Sequence, residues 1–155
     1  METRFREIRI EHGWTIREVV ERLENEVHYQ SSIFHYSNVE LGDSGFSVQF
    51  LIAVSYLFNV STDYLLKLTD TKKRITKSED TSKKVDNRFR ELRIEKGLTM
   101  NEVLEQSHLT ITASHLGAIE RKETAMSVDV LIKFADFYDV STDYILNLSD
   151  ERNII

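Results

Sequence analysis

Residues 4–13, Arg4-Phe5-Arg6-Glu7-Ile8-Arg9-Ile10-Glu11-His12-Gly13, return at 88–97 as Arg88-Phe89-Arg90-Glu91-Leu92-Arg93-Ile94-Glu95-Lys96-Gly97. The match runs on through Thr15, Glu18, Val19 and Glu21 to Thr99, Glu102, Val103 and Glu105. It resumes in a shifted register, with Val60-Ser61-Thr62-Asp63-Tyr64 against Val140-Ser141-Thr142-Asp143-Tyr144, and Asp70 against Asp150. The shift makes the first copy four residues longer somewhere between Arg22 and Val39. An internal repeat of this kind limits the chain to two versions of one structural unit. The expected division is 1–70, a linker over 71–86, and 87–155.

Each copy reads as five short helices. Phe5, Ile8 and the stem of Arg9 mark one face of helix 1, and Gly13 sits where a helix ends in the left-handed region. Thr15 with Glu18, repeated as Thr99 with Glu102, has the spacing of a capping box and starts helix 2. Helix 3 is expected over about residues 32–40 and 112–121. Ser47 and Ser127 cap helix 4, and Ser61 and Ser141 cap helix 5, with Tyr64 and Leu65 turned inward. The β-branched content of 50–54 and 128–132 permits a strand, but the caps and the 3.6-residue spacing argue against it. The segment 24–31, which holds the four-residue excess, is expected to lengthen helix 2. Helix 5 has room to run on into the linker.

Proline and cysteine are absent and glycine numbers 5. Disulfides and thiolate chemistry are thereby excluded, which suits a reducing compartment. The first residues lack an apolar h-region, and no apolar run approaches the roughly 18 residues of a membrane span. A cytoplasmic protein with no membrane contact is expected. The net charge of −6 is the wrong sign for a nucleic-acid binder taken as a whole. It is unevenly spread, however: Lys and Arg outnumber Asp and Glu by 6 to 3 in residues 71–86 and are outnumbered in both copies. At sixteen residues this linker reaches at most roughly 50 Å.

The ordered set Arg-x-x-x-Gly-[Leu/Trp]-Thr, a capped helix, a third helix ending in [Val/Ile]-Glu, then Val-Ser-x-Asp-Tyr-[Leu/Ile]-Leu resembles the phage-repressor/Cro (XRE-like) class of helix-turn-helix domains. The second copy carries it most clearly, in Gly97-Leu98-Thr99, in residues 111–120 and in Val140-Ser141-Thr142-Asp143-Tyr144-Ile145-Leu146. The resemblance covers both copies and implies an all-α protein of two tandem five-helix, lambda-repressor-like domains joined by a charged linker. It also implies a bacterial or phage transcriptional regulator that binds double-stranded DNA, commonly as a dimer.

By the same resemblance, an arginine of helix 1 pairs with the glutamate ending helix 3, here Arg9 with Glu40 and Arg93 with Glu120. The third helix would lie in the major groove. Its base-facing positions are Ile33, Phe34 and Asn38 in the first copy, beside Ser32, and Ala113, Ser114 and Ala118 in the second. Among these Asn38 alone has the bidentate capacity typical of base reading, while Thr112 and Ser114 offer single hydrogen bonds. His115 is placed to reach a phosphate. Ile16 and Met100 stand where the family often has a phosphate-gripping glutamine. The loop after helix 3 reads Leu41-Gly42-Asp43 in the first copy and Arg121-Lys122-Glu123 in the second, so the second is expected to be the better DNA reader. Lys72, Lys73 and Arg74 in the linker are further candidate phosphate contacts.

The first copy is rich in aromatics, including Tyr29, Phe34, Tyr36, Phe46 and Phe50, which are expected in its core. Its apolar third helix also suggests a homodimer or protein contact through this copy, and the alternative of a scaffold reused for protein binding stays open. Five histidines show no ligand spacing, so neither metal nor cofactor is expected. The sequence has no phosphate-binding glycine loop and no nucleophile elbow, and enzyme activity is not expected.

Overall fold

The computed structural model describes residues 1–73 and 85–154, and among them it contains ten helices and no strand. These residues form two compact units, 1–73 and 85–154. The first holds α1 (Phe5–Glu11), α2 (Ile16–Val27), α3 (Ile33–Leu41), α4 (Val48–Phe58) and α5 (Thr62–Leu65). The second holds α6 (Phe89–Glu95), α7 (Met100–Ser107), α8 (Ala113–Glu120), α9 (Val128–Tyr138) and α10 (Thr142–Ile145).

The caps fix where these helices start. Thr15 Oγ1 accepts from the Glu18 N–H while Glu18 bonds back to the Thr15 N–H, and Thr99 with Glu102 does the same. Ser32 and Thr112 stand just outside α3 and α8 as caps, each accepting from the N–H three residues on, at 3.0 Å in both. The four additional residues of the first copy are absorbed as one more turn of helix. Thus α2 has 12 residues and α7 has 8, and both end on a left-handed histidine, His28 and His108. Helix 5 does not run on toward the linker. Lys67 and Asn147 take φ of 58° and 59° just past α5 and α10, turning the chain away.

Each unit has its own core. Phe5, Ile8, Val19, Leu23, Tyr36, Phe50, Leu51 and Leu65 are buried in the first, and Phe89, Leu92, Val103, Leu116, Ile119, Leu131, Phe134 and Ile145 in the second. The partner of the helix-1 phenylalanine has changed place between copies. Phe5 meets Phe50 edge-on at 5.4 Å, with Val54 one turn later on α4. Phe89 instead meets Phe134 at 4.4 Å, with Val130 one turn earlier on α9. Valine and phenylalanine have swapped at i and i+4 of one helical face, which conserves core volume while shape diverges.

Two polar devices tie the ends of each unit. Arg4 donates to the carbonyls of Tyr64 and Thr69 at 2.6 Å each and pairs with Asp70 at 2.5 Å, its guanidinium over the Tyr64 ring. Arg88 repeats this on Ser149, Asp150 and the Tyr144 ring. Glu11 is met by Lys72 at 2.5 Å, and its repeat counterpart Glu95 by Arg152 in a two-point bond of 2.8 and 2.9 Å.

Candidate nucleic-acid interface

The orientation of α8 follows from its apolar positions. Leu116 and Ile119 point into the core, which leaves Ser114 and His115 exposed near the N-terminal end and Ala113 and Ala118 half-buried. This small, weakly polar surface offers one hydroxyl on Ser114, a ring nitrogen on His115, and methyl groups suited to a thymine methyl. The Thr112 hydroxyl accepts the capping bond and keeps its own hydrogen for donation. At Gly117, a Cβ would make ordinary contact with the Met100 thioether of α7 at 3.6 Å and press on the flexible end of Arg121 at 3.0 Å.

Behind this surface stands the ion pair of the third helix. Arg93 Nε donates to Glu120 Oε1 at 2.7 Å, and Arg93 Nη1 to the Leu98 carbonyl at 3.0 Å. The Glu120 side chain is 2% exposed. In the first unit Arg9 grips both oxygens of Glu40, at 2.6 and 3.1 Å, and also holds the Trp14 carbonyl. Its hydrogen bond and charge attraction to Glu40 raise the Arg9 pKa, so the guanidinium stays charged. A buried tyrosine lies near each pair. Burial pushes Tyr138 up to about 12 and raises Tyr36 as well, so both phenols remain neutral at ordinary pH.

The loop cations of the second unit are not idle. Arg121 Nε and Nη2 donate to the Glu123 carboxylate at 2.9 and 3.3 Å, and Lys122 Nζ pairs with Asp86. Lys122 holds φ of 62° where the first copy has Gly42 at 80°. Asp86 also accepts from the Asn147 amide at 2.6 Å and from the Asn87 N–H at 2.8 Å. Partial burial opposes its ionisation, but Lys122, Asn147 and Asn87 together hold the Asp86 carboxyl below the usual aspartate value.

In the first unit the corresponding surface has another character. Ser32 caps α3 as Thr112 caps α8, and Asn38 is half-buried, its backbone carbonyl accepting from the Asp43 and Ser44 N–H groups at 2.9 and 3.3 Å. Tyr36 is in the core, as the aromatic content suggests. Phe34 is not: it is 78% exposed, and Leu41 is 66% exposed one side of two turns away, with Ile33 also outward. Of the linker cations, Lys72 is occupied by Glu11 and lies over the Tyr64 ring at 5.7 Å. Lys73 is half-buried, and Arg74 falls outside the described residues.

Sequence reasoning missed Arg4, Arg88, Asp86, Glu123 and Arg152. The signal for three of them was present: Arg4 and Arg88 are identical in both copies, each followed 66 or 62 residues later by its aspartate, and Arg152 repeats Lys72. Residues 89–145 match the family model described as "Helix-turn-helix". The chain is 39% identical over 64 residues to the "Uncharacterized HTH-type transcriptional regulator YobD" of Bacillus subtilis (strain 168), an alignment covering 41% of this chain and 55% of that protein. The chain therefore spans little more than half the length of that relative. No solved structure matches. Over residues 89–145, which run from the start of α6 to the end of α10, the second unit is thus similar to helix-turn-helix proteins.

Proposed function

We propose that this protein is a DNA-binding transcriptional regulator in which α7 and α8 form the duplex-reading pair. The observation that carries the reading is α8 itself, inside the matched segment: apolar side buried, Ser114 and His115 outward at its N-terminal end. Groove-reading helices place that end against base edges. Thr112, Ser114 and His115 would meet the groove and Arg121 and Lys122 the phosphates. The similarity to a named transcriptional regulator supports the same reading. Residues 1–70 and 87–155 act as separate domains on a linker over 71–86, and in a bacterial or phage setting a DNA target implies work in the cytoplasm.

Binding of the full chain to genomic and random-sequence duplex, titrated with salt, tests this. Affinity should fall as a power of salt concentration, with a slope of about −0.9 per phosphate neutralised. A Kd weaker than about 10⁻⁴ M for every duplex near physiological salt, the weak end of ordinary non-specific binding, would overturn it.

For the first unit, Phe34 and Leu41 favour an apolar contact over a groove-reading one, and we assign that contact to a second copy of the chain. The outward side of α3 carries no carboxylate or cation, since Glu40 is held by Arg9, so two copies can meet there without like-charge repulsion. Sedimentation equilibrium should show self-association that Phe34→Ser abolishes. A wild-type chain that stays monomeric at about 100 μM, where an interface of standard size would be saturated, removes this assignment.

A further inference from the structure

We infer that Glu123 and Asp86 set the DNA affinity of the second unit, each holding one loop cation in an internal ion pair that a backbone phosphate must displace. The inference rests on the regulator reading and concerns the same surface. Arg121 is bonded at two points to Glu123, and Lys122 to Asp86, so the two cations nearest the end of α8 are locally neutralised. Both pairs are substantially exposed: the side chains keep 58% and 58% of their surface in one and 45% and 42% in the other. Exposed pairs of this kind are weak enough to exchange for a phosphate. They nevertheless remove the net positive charge that would draw the loop to any duplex.

The two carboxylates differ in how they are held. Asp86 is fixed by Asn147 and by the Asn87 N–H, so it is a preorganised acceptor at the start of the second unit. Glu123 lies two residues from Arg121 on the same loop and corresponds to Asp43 in the first copy, which has Leu41 in place of the arginine. The second copy therefore combines an arginine and a lysine with a carboxylate that the repeat already carried there. A cation released only when a phosphate is correctly placed lowers binding to bulk duplex more than binding to a fitted site, which is how a competing internal contact raises discrimination.

The test uses the full chain and a random-sequence duplex. Glu123→Gln and Asp86→Asn should each tighten binding about two- to fivefold near 100 mM salt, the range for loss of one exposed ion pair. Each should also steepen the log–log salt slope by about 0.9, because one more cation is uncompensated. Asp136→Asn makes the same change of net charge on the exposed side of α9, outside the α7–α8 pair, and should leave the slope unaltered. Thermal unfolding followed by circular dichroism identifies an Asp86→Asn chain that has lost its fold, in which case Glu123→Gln decides. A wild-type slope that Glu123→Gln leaves unchanged, or that Asp136→Asn steepens equally, overturns the inference while the regulator reading stands. Duplex binding weaker than about 10⁻⁴ M by wild type and both variants overturns the reading and the inference together.

Discussion

Replacing Arg93 by methionine is expected to cost the second unit about 3–5 kcal/mol, the range for stripping one partner from a buried ion pair. Glu120 is 2% exposed, and its Oε2 has no hydrogen-bond partner among the described residues, so Arg93 supplies the stabilisation of that carboxylate. The substitution would also leave the Leu98 carbonyl, where α7 begins, without the Arg93 Nη1 donor. For a unit of this size such a loss rivals the whole folding free energy. Urea unfolding of the full chain should show the transition of the second unit displaced toward zero denaturant. A companion Arg93→Met, Glu120→Met chain should regain most of the loss, because removing both charges leaves nothing buried and unpaired. A loss below about 1 kcal/mol in the single variant, the scale of an exposed pair, would show that solvent reaches Glu120.

What the sequence made legible was local or repeated. Helix starts were readable because a Thr or Ser cap acts on the N–H three residues on, and the insertion was readable because one whole turn leaves every side chain on its former face. The Arg93–Glu120 pair came from resemblance, since nothing in the spacing of 27 residues joins the two. Arg4 with Asp70 escaped for that reason, although its repetition in Arg88 and Asp150 was in plain view. Phe34 was expected both on the outward face of α3 and among the core aromatics, and only the outward placement agrees with its exposure. Phe34 precedes Tyr36 by two residues, which is about 200° around a helix, so the two rings cannot share a core. The occupied state of Arg121 and Lys122 was not legible at all. Charge counting shows cations in a loop, whereas only side-chain geometry shows that Glu123 and Asp86 already hold them.

That occupied state sharpens the second large effect. Arg121→Ala combined with Lys122→Ala removes two cations and also frees two carboxylates beside the end of α8. The local charge changes by two units, from neutral to negative, and on the tightest-bound genomic duplex, where phosphates have displaced both carboxylates, the salt slope should become shallower by about 1.8. Affinity for random-sequence duplex near 100 mM salt should drop about 10- to 100-fold, more than the loss of two contacts alone would give, since Glu123 and Asp86 then repel the phosphates they previously only competed with. Lys72→Ala is the matched control. Lys72 neutralises Glu11 just as Arg152 neutralises Glu95, so its loss should act on the first unit and leave the slope unchanged. If the double substitution leaves the slope intact and Lys72→Ala flattens it, the phosphate contacts lie on the linker and the loop after α8 is a structural turn. Opposite outcomes for these two chains therefore place the DNA-contacting charge on one side of residue 86 or the other.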